Sequence, residues 1–268
     1  MKNSVLLEIC VDSTESALAA ERGGAQRVEL CGDLVEGGIT PSAGLIENVR
    51  QQVHITLHVM IRPRGGDFCY SPDEFESMKR DVLTAKKFGA DGVVFGILKE
   101  NGRVDTARTR SLVELARPLS TTFHRAFDMS ADLDQTLEDV ISAGVDRVLT
   151  SGGGQNAEDR IANITGLVVA AKDRIGIMVG GGIRETNVRR ILAETGAREI
   201  HANVGHSVPS PMLYRNNQIS LGAIKGREYQ RVVVLHDRVR RLLEAASNGT
   251  PALAGEMTHR GRAKHSKS

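Results

Sequence analysis

GGAQRVEL (23–30), FGADGVVF (88–95), AGVDRVLT (143–150) and TGAREIHA (195–202) are four versions of one joint. In each, a glycine ends a helical stretch, a polar residue follows, and a short apolar run begins. A helix-to-strand joint that recurs along a chain means a parallel sheet, because parallel neighbours need helical crossovers. Short strand-like runs stand at 5–11, 27–31, 55–61, 92–98, 121–127, 147–151, 175–180 and 199–204. Between them lie helical patterns with readable ends. Ser71-Pro72-Asp73-Glu74 combines a Ser cap, a first-turn Pro and a capping-box Glu ahead of Phe75, Met78, Val82 and Ala85. Leu133, Leu137, Val140 and Ile141 form a second stripe stopped by Gly144, and Val188, Ile191 and Leu192 a third stopped by Gly196. Thr40-Pro41 starts another. Eight such units predict an α/β chain folded as a single (β/α)8 TIM barrel over residues 1–246, in preference to an open doubly wound sheet. The last helix is predicted over 231–246. Before it, 207–230 forms a long connection with Pro209, Pro211 and YRNNQISLG, which reads as a functional loop or an interface arm.

Composition narrows the class. The 268 residues are 40% hydrophobic and 25% charged with no Trp, which excludes disordered, collagenous and disulfide-scaffold chains. Glu8, Arg27, Glu29 and Arg62 interrupt every apolar run before it reaches the ~18 residues of a membrane span. The opening MKNSVLLEICVDS does not read as a signal peptide. Three widely spaced cysteines, Cys10, Cys31 and Cys69, suit reduced thiols and a cytoplasmic location. The net charge of +2 is concentrated late: Arg260, Arg262, Lys264 and Lys267 stand against Glu256 in 247–268. That stretch reads as a disordered basic tail, with His259 and His265 solvated rather than metal-bound. A nearly neutral body with 3% aromatics offers no nucleic-acid surface.

In a barrel of this kind the chemistry sits at the C-terminal strand ends, with side chains alternating inward and outward. Glu8 and Cys10 share a parity on strand one, and Glu29 and Cys31 on strand two. His58 and Arg62, His124, Ser151, and His201 with Asn203 come from later strands. Ionisable groups inside apolar strands are costly unless paired, so their convergence predicts a polar site. Glu8 or Glu29 is the candidate general base, His58, His124 or His201 the partner acid, and Arg62 an anion ligand. The competing reading pairs each Glu with Arg27, Arg62 or Arg125 and leaves the histidines as satisfied core residues. Gly180-Gly181-Gly182 after strand seven and Ser151-Gly152 after strand six are candidates for anion binding through backbone N–H groups. Tight loop geometry would select the same glycines. Cys10 and Cys31 fall at matching depth on neighbouring strands, and soft thiolates suit Cu(I); buried cysteine is also a common small hydrophobe.

LEICVDS (7–13), RVELCGDLVEGGITPS (27–42), MIRPRGGDFCYS (60–71), TFHRAFDM (122–129), RVLTSGG (147–153) and PSPMLYRN (209–216) are long, uncommon motifs. Through them the sequence closely resembles the copper homeostasis protein CutC family over about residues 4–245. The resemblance implies a cytoplasmic (β/α)8 barrel with a role in copper handling and Cu(I) bound at Cys10 and Cys31. The chain departs from the family pattern at Asn203, usually a small residue such as Ser, and at Val204, usually Ala. Two functions are therefore expected in competition. One is a Cu(I)-binding protein using Cys10, Cys31 and an added ligand such as Met60. The other is a lyase, isomerase or hydrolase using acid–base chemistry on a small phosphate or carboxylate. A homo-oligomer, with a symmetric dimer favoured, would suit the long arm.

Overall fold

A computed structural model describes residues 5–221 and 224–247. Eight parallel strands close into a barrel: β1 (Leu6–Val11), β2 (Arg27–Leu30), β3 (Thr56–Met60), β4 (Gly92–Phe95), β5 (Ser120–Phe123), β6 (Arg147–Thr150), β7 (Gly176–Val179) and β8 (Glu199–Ala202). Closure is made by β8 pairing in parallel with β1, Leu6 opposite Glu199. Helices α1 (Thr14–Arg22), α2 (Ala43–Gln52), α3 (Pro72–Lys87), α4 (Thr106–Ala116), α5 (Leu133–Ser142), α6 (Ile161–Ala171), α7 (Val188–Thr195) and α8 (His236–Ser247) belong to the outer ring. The chain is a (β/α)8 TIM barrel.

The four joints work as their chemistry requires. Gly24, Gly89, Gly144 and Gly196 all take positive φ, between 71° and 91°, where a side chain would be strained. The capping box at Ser71 and Glu74 is present on α3. Thr40-Pro41 stands just outside α2, which is capped instead by the Ser42 hydroxyl accepting from the Leu45 N–H at 3.2 Å. Strand side chains facing the helices, among them Leu7, Ile9, Val28, Leu57 and Val93, make the main apolar core.

The predicted helix over 231–246 is corrected. Gln230–Val234 is a strand, β10, paired antiparallel with β9 (Gly205–Pro209), and α8 begins only at His236. The Val232-Val233-Val234 run explains this, since β-branched side chains favour a pleated surface. Val233 and Val234 are buried, and the Val234 N–H donates to the Ser16 hydroxyl at 3.1 Å. The long connection is thus a hairpin arm, with Met212, Leu213, Tyr214, Ile219 and Leu221 exposed. The basic stretch after Ser247, with His259 and His265, lies outside the described residues. Among the described residues no helix is long and apolar enough to cross a membrane.

Candidate functional site

Strand register stacks the polar residues in layers. β1 sets Glu8 beside Arg27 and Cys10 beside Glu29; β3 sets His58 beside Glu29; β8 sets His201 beside Glu8. The lower layer is an alternating chain of charge. Arg27 Nε donates to Glu8 Oε2, and Arg27 Nη2 donates to Glu199 Oε2 at 2.7 Å. Arg147 Nε donates to the same Glu199 oxygen at 2.5 Å. His201 Nδ1 donates to Glu8 Oε1 at 2.7 Å. Burial alone would push the Glu8 carboxyl up, but the His201 hydrogen bond and the Arg27 charge hold it far below the usual range. His58 Nδ1 lies 3.8 Å from Glu8 Oε2 without a hydrogen-bond partner. Burial, with Arg27 and Arg147 nearby, depresses His58 to about 4 and keeps its ring neutral.

Above this layer a pocket of about 300 Å³ opens at the C-terminal ends of the strands. Cys10, Glu29, Arg62, His124, Arg125 and His201 line it, with Met60 and Phe68 beside them. Glu8, His58, Cys31, Ser151, Gly152 and Gly180–Gly182 are not in that lining. Glu8 therefore reaches the pocket only through His201.

Sulfur and carboxyl groups meet at the pocket floor. Cys10 Sγ and Cys31 Sγ are 3.8 Å apart, and Cys31 Sγ donates to Glu29 Oε2 at 3.5 Å. Both cysteines share a small buried cluster with Met60 and Val94. The contact with the Cys31 sulfur, aided by His201 and opposed by burial, lowers the Cys10 thiol to about 6. The same contact and burial push the Cys31 thiol up. Burial raises the Glu29 carboxyl well above its ordinary value. His201, despite its burial, is raised by Glu29 and Glu8; its Nε2 lies 3.9 Å from Glu29 Oε2. Two sets of potential ligand atoms, Cys10-Glu29-Cys31 and Glu8-Glu29-His201, each fall within 4.8 Å of one another.

The upper wall holds two donors. Arg62 Nη1 donates to the carbonyls of Glu36 at 2.7 Å and Gly38 at 2.9 Å, and Nη2 to that of Gly66 at 2.9 Å. Its Nε is buried without a partner. The His124 Nδ1 accepts the Ala126 N–H at 3.1 Å, which leaves the ring proton on Nε2, also buried and unpartnered. Burial and the Arg62 charge lower His124 to about 3.

The loop after β6 is engaged internally, while in the triple glycine the Gly180 N–H and the carbonyls of Gly181 and Gly182 are engaged. Asp128 sits in the cradle after β6, accepting from the Ser151 N–H and hydroxyl, the Gly153 N–H at 3.0 Å and the Thr150 hydroxyl at 2.5 Å. Ser151 is thus held by a carboxylate of the chain itself, while the Gly152 N–H donates to Thr150 Oγ1. The Gly180 N–H donates to the Thr150 carbonyl, and the Gly181 and Gly182 carbonyls accept from Ala157 and Asn187. The triple glycine does not run straight into a helix: a turn at Arg184–Asn187 intervenes and α7 starts at Val188. The reading of single residues missed Asp128 and the Glu199–Arg147 pair. The spacing of Asp128 three residues after Arg125, which it accepts from at 2.8 Å, was the available signal.

Comparison with known proteins fits this geometry. The chain is 50% identical over 241 residues to a mouse copper homeostasis protein cutC homolog, covering 90% of this chain and 89% of that one. To the human copper homeostasis protein cutC homolog it is 48% identical, covering 92% and 90%. The solved CutC structure from Streptococcus agalactiae superposes with a TM-score of 0.71 at 36% identity, over 74% of this chain and 97% of that one. The family model for the CutC family matches residues 5–206, the stretch that carries all eight barrel strands and every pocket residue named above. By sequence and by barrel alike, the chain belongs to the CutC family.

Proposed function

We propose that this protein takes part in copper handling by binding one Cu(I) ion between Cys10 and Cys31. The observation that carries the reading is the 3.8 Å separation of two buried sulfurs, Cys10 lining the open pocket and Cys31 lying directly behind it. Two thiolates bound at ~2.3 Å to one ion, the length typical of metal–thiolate bonds, would stand about this far apart at a near-tetrahedral angle of roughly 110°, which leaves room for a further ligand. Soft sulfur ligands favour Cu(I), and Met60 in the same cluster offers a thioether. A Cys10 thiol lowered to about 6 supplies the thiolate at neutral pH. The names of the mouse and human relatives agree with this reading. Free thiols so placed belong in a reducing compartment, and we place the protein in the cytoplasm. The exposed apolar hairpin arm would join two copies as a homodimer.

The test is titration of the reduced protein with Cu(I) against a competing chelator, alongside a Cys10→Ser, Cys31→Ser double variant. Stoichiometric binding that is lost in the variant supports the assignment. Affinity indifferent to the two cysteines refutes it.

A further inference from the structure

We propose that the mouth pocket is also a binding site for a small organic carboxylate with a carbonyl or hydroxyl oxygen next to it, held by Arg62 and His124. Arg62 is buried, yet among the described residues it forms no ion pair. Its three bonded N–H groups all meet neutral backbone carbonyls. A guanidinium carries five N–H donors, so two, one on Nε and one on Nη2, have no carbonyl or charged partner; the neutral Tyr70 hydroxyl stands beside the group. A buried cation without a counter-charge is costly, and two adjacent N–H groups are what a carboxylate takes in bidentate fashion. The other arginine of the pocket differs: Arg125 is matched by Asp128 at 2.8 Å. Arg62 is the pocket cation that lacks its anion.

His124 supplies the second contact. Its ring proton is fixed on Nε2 by the Ala126 N–H at Nδ1, and that proton has no partner. A neutral donor suits a carbonyl or hydroxyl oxygen better than a second negative charge. Phe68 ties the two donors together: the Arg62 guanidinium stands 5.1 Å from its ring centre and the His124 ring 4.9 Å. Both residues line the same pocket. The volume, about 300 Å³, is far more than an ion needs and lies at the lower end of small-ligand pockets. Inorganic phosphate fits less well, because a dianion would have one open fork, an uncharged imidazole and the neighbouring Glu29 carboxyl.

Calorimetric titration of the reduced, metal-free full chain decides the matter, with glycolate and pyruvate as probes and glycolamide and inorganic phosphate as comparisons. At least one of the two acids is expected to bind, and the amide is not. His124→Gln should weaken binding about tenfold with the circular dichroism spectrum unchanged. Arg62→Lys should abolish it, although that change also frees three loop carbonyls, so His124→Gln is the deciding variant. Binding should persist in the Cys10→Ser, Cys31→Ser variant, which separates this site from the copper site. The proposal is overturned if neither acid binds at about 10 mM, if phosphate binds in their place, or if His124→Gln leaves the affinity unchanged.

Discussion

His124 offers a sharp test of how the pocket is built, because its folded and unfolded states differ so much in proton affinity. The ring is buried beside the Arg62 cation, which lowers its pKa from an ordinary 6.5 to about 3. A histidine depressed in the fold gives stability that is present above the unfolded value and is lost as pH falls toward the folded one. Between pH 6.5 and about 3 the unfolded chain binds a proton here that the native protein refuses. At pH 5 the loss spans 1.5 pH units, which at ~1.36 kcal/mol per unit is about 2 kcal/mol. His124→Gln keeps an amide near the same size and removes the titration. Urea unfolding of wild type and variant should be followed from pH 8 to pH 5. The destabilisation caused by the substitution should shrink by about 2 kcal/mol across that range. Comparison with the variant cancels the slopes of Glu8, Glu29, His58 and His201, which are common to both proteins. Parallel stability profiles would refute the reasoning, since they would mean that His124 is solvated or already protonated in the native state.

Two further substitutions test the layers around the pocket. Glu8→Gln leaves Arg27 with Glu199 alone and strips the charge that holds the His201 proton; unfolding free energy should fall by about 3 kcal/mol at neutral pH. The histidine, which keeps Glu29 and Cys10, should also lose part of its raised pKa, seen as a midpoint moved to lower pH in NMR titration of its ring protons; an unmoved midpoint would contradict the coupling. Asp128→Ala removes the acceptor shared by Ser151, Gly153, Thr150 and Arg125, and should cost on the order of 3 kcal/mol while raising hydrogen exchange at the 151–153 amides. Unchanged exchange there would show that the loop holds its shape without the carboxylate.

The parts of this architecture that could be read in the sequence are those with a local cause. Glycine at a helix end and an apolar run after it form one short-range pattern, and the barrel follows from its repetition. The inward parity of Glu8 with Cys10 and of Glu29 with Cys31 is likewise a period of two. Depth along a strand is another matter. Glu8 and Cys10 differ by about 6.6 Å along β1, at ~3.3 Å per residue. That interval separates an ion-paired structural carboxylate from a thiol on the pocket floor. Nothing in the strand itself records which layer a residue occupies, because the partners come from β2 and β8. The hairpin fails for the same reason: β9 and β10 recognise each other across the arm, so local apolar spacing at 231–246 resembles a helix.

One long-range relation was nonetheless written in the chain. A histidine in a barrel interior needs space that its neighbours must surrender. A Cβ on Gly92 would lie 2.4 Å from the His58 ring, and one on Gly96 would lie 2.6 Å from the His124 ring. These glycines stand four apart and so share the inward face, and β4 between them contributes only Val94 to that face. β4 accordingly yields its interior volume to the rings of β3 and of the turn after β5. The glycines of GVVFG are thus the complement of His58 and His124. Their presence argues that both rings occupy their positions by steric design, and it makes the two histidines legible as interior residues from a strand that carries neither.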